Sequence, residues 1–180
     1  MDIEIGAEAK DKRLNNMVAL TVVLLSIFMG LGQVKDGNIV QAMAQAQSNA
    51  VDRWGEYQAT RTKLHIDETA LAQARVTPGL AAEQARLTAE IAKYEKEAPE
   101  LRKQAEGFQA QYDALNVHDD QFDASDAAIG VAVAVAAVAA LSESQLALVF
   151  AWLVGVFGIV MGLAGFFGWA LKSPLASLLS

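Results

Sequence analysis

The sequence contains no cysteine. That excludes disulfides, thiolate metal centres and a cysteine nucleophile, and it leaves the redox compartment open. Histidine is nearly as scarce: only His65 and His118 occur, on opposite sides of a proline-glycine break. A metal site needs several ligands converging, so both histidines, and the His118-Asp119-Asp120 run, read as solvated surface groups. Basic charge is also in deficit, with a net charge of −7 and a pI near 4.8. Nucleic-acid binding requires the opposite balance, a basic footprint that displaces counterions. Outside the last apolar run there is no glycine-rich phosphate loop, and no Ser-His-Asp or paired-carboxylate arrangement can be assembled. The expectation is therefore a protein that is not an enzyme, with no catalytic residue, cofactor or metal.

What is missing most systematically is charge within two long stretches. Residues 14–34 carry none and residues 127–171 carry only Glu143, while nearly all charges lie in 1–13 and 35–126. The mean hydropathy of +0.25 thus averages two regimes. A globular core interleaves charged and apolar positions along the chain; segregated blocks are what lipid-facing and water-facing segments require.

Residues 14–34 can cross a hydrocarbon layer of ~30 Å at about 1.5 Å per residue. Gly30-Leu31-Gly32 would suit signal-peptide cleavage, but Asp2, Glu4, Glu8 and Asp11 precede the run, so a retained helix is expected. The second run, placed at 124–141, is almost wholly Ala, Val and Gly. Its local alternation resembles a strand, yet an unpartnered strand in lipid leaves backbone groups unpaired at several kcal/mol each, so a helix is expected. Because Ala is weakly hydrophobic, that helix should face protein more than lipid. The third run, 146–171, has aromatic residues at both ends, as membrane interfaces favour. Within it Ala151, Gly155, Gly158, Gly162 and Gly165 form one stripe at helical spacing, opposite Phe150, Leu153, Phe157, Val160 and Leu171. Small residues on one stripe let helix backbones approach closely. Since only residues 142–145 separate the last two runs, they must be antiparallel neighbours. The stripe is expected to receive the Ala-rich helix or its copy in another subunit.

Between the first and second spans, residues 35–123 read as two helical arms reversing at Thr77-Pro78-Gly79. The first arm has an imperfect apolar seam. The second holds heptad spacing from Leu80 to Leu115, with Pro99 expected to kink or divide it. Arms of about 40 residues each would reach on the order of 60 Å. The fold class expected is thus an all-α membrane protein: three transmembrane helices, with a long antiparallel coiled-coil hairpin between the first and second. The terminal segments 1–13 and 172–180 are polar or short.

The segment around Trp54, Tyr57, Gln58 and Ala59, with Arg61 and Lys63 following, resembles the signature of the bacterial family called domain of unknown function 4337. Phe122-Asp123-Ala124, leading into an Ala/Val-rich span, a short turn and a Gly-rich span, is also similar. Thr60 stands where the family usually has Lys, and the last turn carries Glu143 where the family is often basic. The resemblance implies a bacterial inner-membrane protein of this plan and supplies no activity.

Lys10, Lys12 and Arg13 crowd one end of the first span, whereas Lys35 stands alone at the other. The positive-inside rule puts the N-terminus in the cytoplasm and the hairpin on the periplasmic side. The leading functional expectation is a homo-oligomeric structural or scaffolding protein in the lipid bilayer, with a coiled-coil stalk that spaces or recruits an unidentified protein partner. The alternative is a passive oligomeric channel or an accessory subunit of a transporter. Nucleic acid is not an expected partner.

Overall fold

A computed structural model of the chain describes the backbone of residues 2–169 and the side chains of residues 12–169. The expected placements of Leu171, Lys172 and the 172–180 tail lie outside the described residues, as do the side chains of residues 1–11. Among the described residues three helices make up the fold: α1 (Asp2–Val76), α2 (Ala81–Leu141) and α3 (Gln145–Phe167). All three are long and apolar enough to cross a membrane.

α1 runs unbroken across Lys35-Asp36-Gly37, where the apolar segment gives way to the charged one. No proline interrupts it. Gly37 costs about 1 kcal/mol of helix propensity, which the flanking turns can carry. The chain then reverses at Thr77–Leu80, where Gly79 takes φ +86°, a left-handed conformation open to glycine without a Cβ clash. α2 continues through Pro99 as a single helix rather than dividing there. α2 and α3 are joined by a turn at Ser142–Ser144, with Glu143 at φ +51°. Ser144 caps α3, its hydroxyl accepting from the Ala147 N–H at 3.3 Å. Gly168, at φ +69°, ends α3 by donating its N–H to the Ala164 carbonyl. The helix therefore stops short of the end that its hydropathy suggests, because glycine stabilises a left-handed cap that hydropathy does not register.

The chain forms two compact units, one of residues 1–41 and 115–180 and one of residues 42–114. In the first unit, α1, α2 and α3 pack as a three-helix bundle. One cluster joins Leu14 and Val18 to Ala136, Ala139, Leu148 and Ala151. A second joins Leu25 to Ile129 and Ala132, with Phe28, Val154 and Ile159 against them. Within the chain α2 is covered on one side and open on the other. Ala128, Ile129, Ala132, Ala136 and Ala139 are buried, but Ala127, Gly130, Val131, Ala134, Ala137 and Val138 are exposed. Three helices can cover only one side of each other, so half of a weakly apolar helix is left outside.

In the second unit the two arms share a buried seam. From α1 come Met43, Ala46, Ala50, Thr60, Leu64, Leu71 and Ala74; from α2 come Leu87, Ala98, Leu101 and Ala105. The seam is alanine-rich and therefore thin. Near the turn Leu71, Ala74 and Leu87 cluster with Ala70 and Ile91. There Gln84 Nε2 donates to the Ala74 carbonyl at 2.8 Å. Ion pairs such as Arg86 with Glu83 and Glu90 lie on the exposed surface, where water screens them and they add little to the seam.

Leu87 is 2% exposed in the cluster near the turn. Leu87→Ala is expected to cost about 2 kcal/mol. Hydrogen exchange should then speed up on the order of 30-fold in residues 64–94 while α3 is unchanged. Unaltered protection near the turn would show that the arms are held together elsewhere.

Candidate functional site: the glycine face of α3 and a carboxylate cluster

Ala151, Gly155, Gly158, Gly162 and Gly165 are all buried along one side of α3, while Phe150, Leu153, Phe157 and Val160 are exposed on the other. What fills the space beside each glycine is visible from where a Cβ would fall. At Gly155 it would meet Leu25 of α1 at 3.2 Å and the Ala132 Cβ of α2 at 3.5 Å. At Gly158 it would lie 2.7 Å from Ile129 and 3.1 Å from the Ser125 carbonyl oxygen. At Gly162 it would strike the Phe28 ring at 2.6 Å and Ser125 Oγ at 2.8 Å. At Gly165 it would reach the Phe122 ring at 2.7 Å. Both α1 and α2 therefore use the stripe, and the chain fills it by itself. Phe28 and Phe122, seated over Gly162 and Gly165, also contact Phe166 edge-on, with ring centroids at 6.4 and 5.3 Å.

Three polar links tie the same helices. Trp152 Nε1 donates to Thr21 Oγ1 at 2.8 Å, and Thr21 Oγ1 donates to the Met17 carbonyl at 2.8 Å. Gln121, fully buried on α2, donates from Nε2 to the Trp169 carbonyl at 2.8 Å, with His118 Nδ1 at 3.3 Å from its Oε1. That bond fastens the chain just beyond the Gly168 cap. Gln33 Nε2 donates to Asp126 Oδ2 at 3.1 Å, joining α1 to α2.

Around that last link lies a group of carboxylates that the sequence reading did not assemble. Asp36 of α1 faces Asp119, Asp123 and Asp126 of α2. Burial pushes the Asp36 carboxyl up to about 6 from 3.8, and repulsion from Asp119 and Asp123 adds to this. Asp36 Oδ1 is buried and meets no donor. A hydrogen bond with Asp119 raises the carboxyl further. Asp119 is itself raised, by burial first and then by Asp123. Asp36 and Asp119 are far apart in sequence, and their only local signal is that each follows or precedes an apolar run. Among the described residues no group of three or more His, Cys, Asp or Glu side chains has the geometry to hold a metal ion.

The other sequence-highlighted residues fall in the second unit. Trp54 and Tyr57 are half-buried and pack edge-on to each other at 5.6 Å, whereas Gln58 and Ala59 are exposed. His65 lies on the surface between Arg61 at 3.4 Å and Glu68 at 3.0 Å.

Two outcomes follow from this geometry. Gly158→Ala, blocked partly by backbone, should lower stability in detergent by about 1–3 kcal/mol. Gly30→Ala, where a Cβ meets nothing, should be neutral or stabilising by up to about 1 kcal/mol. Equal effects of the two changes would refute a close-approach role for Gly158. The carboxylates give a pH dependence. Asp36 binds its proton more tightly folded than unfolded, so its stabilising contribution is complete below pH 3.8 and is lost as pH rises through about 6. Asp119 shifts in the same direction. Thermal stability in detergent should therefore fall between pH 4 and pH 7, and Asp36→Asn should flatten that fall. A stability that rises over this interval and is indifferent to Asp36→Asn would contradict it.

No curated protein and no solved structure matches the chain. A family model described as Domain of unknown function (DUF4337) matches residues 14–168. That match runs from the first turns of the α1 apolar segment to the Gly168 cap of α3, and so includes the glycine face, the carboxylate cluster and the whole hairpin. The chain belongs to the domain of unknown function 4337 family.

Proposed function

We propose that the chain is a membrane-anchored scaffolding protein that works as a homo-oligomer and uses its hairpin to recruit partners, other copies included. One observation carries this reading. On the exposed side of α1 in the second unit, Ala44, Gln47, Val51, Gly55, Gln58, Thr62, Ile66, Thr69 and Gln73 repeat with an eleven-residue period. Each is uncharged and each is exposed. At 3.67 residues per turn, an eleven-residue period keeps a stripe in line along a helix. Val51 is 64% exposed and Ile66 61%, and both lie on the stripe. A water-facing helix with no outside partner gains nothing from a charge-free line bearing two large aliphatic side chains; a helix that packs against another protein does.

The membrane part supports the reading in one respect. The glycine stripe of α3 is filled within the chain, but Gly130 and Ala134 on the outer face of α2 form a second small-residue step, and a Cβ at Gly130 meets nothing. Small residues four apart are a usual means of helix association in lipid. The family and the three spans favour a bacterial inner membrane, and the basic Lys12 and Arg13 at the start of the first span favour a hairpin on the periplasmic side.

Mass measurement in nanodiscs is the test of assembly. The expected result is an oligomer that Val51→Glu together with Ile66→Lys reduces to monomer, with unchanged helical content by circular dichroism. Monomer in the unaltered protein would overturn the proposal. Orientation is tested separately with single-cysteine variants at Ser48 and Ser144, probed in intact cells with an impermeant thiol reagent. Labelling at Ser48 alone is expected, and labelling at Ser144 alone would reverse the assignment.

A further inference from the structure

We draw no further inference here: the strongest candidate, the carboxylate cluster of Asp36, Asp119, Asp123 and Asp126 at the polar ends of the apolar segments of α1 and α2, carries nothing because no second feature of the structure points to what it would bind.

Discussion

Hydrocarbon gives apolar helices little reason to prefer one another over lipid, so helices that pack there must gain from close contact itself. In this chain, whose three helices are apolar enough to cross a membrane, close contact is concentrated on α3. Its buried glycines let Ile129 and the Ser125 carbonyl of α2, and the rings of Phe28 and Phe122, come to between 2.6 and 3.1 Å from where a Cβ would sit. The large residues stand on α1 and α2, and the space for them stands on α3. The link at Ser142–Ser144 keeps α2 beside α3, but it cannot set their rotation. The rotation follows from which side of α3 has room.

The polar groups of the same unit are arranged to complete this packing without weakening it. Trp152, Thr21 and Met17 form a chain in which the indole N–H and the hydroxyl each have an acceptor. Gln121 meets the carbonyl beyond the α3 cap, one of the backbone groups that a helix end leaves without an intrahelical partner. The carboxylates are the exception. Four acidic groups gather where α1 and α2 leave their apolar segments, and the arrangement is tolerable because at least one of them keeps its proton more readily than a free aspartate does.

The three long apolar helical segments and the reversal at Pro78-Gly79 were legible because they depend on local composition: charge withheld from two blocks, and one proline-glycine pair between two long helical patterns. The α3 stripe was legible for the same reason, since its spacing is a property of one helix. Its partners were not. Glycine spacing states how much room exists, not who occupies it, and Phe28 and Leu25 come from a helix more than a hundred residues away. The half-exposed state of α2 was hidden for a related reason. Alanine suits a close interface and a weakly apolar surface equally, and the choice depends on how many neighbours are present. Asp36 escaped notice because its environment is made by residues of another helix. At Pro99 one of the two expected outcomes, division of the helix, does not occur: the missing N–H removes one hydrogen bond, and the turns on either side hold the helix together.

The glycine face also affects how the protein can be studied. Interfaces are commonly mapped by cutting side chains back to alanine and watching for loss. At this face the protein has already removed everything that such a scan removes, and the functional element is a set of hollows. A truncation survey would register the residues that protrude into them, such as Leu25, Ile129, Phe28 and Phe122, and would pass over the surface that receives them. The information lies in the direction of enlargement, one methyl group at a time.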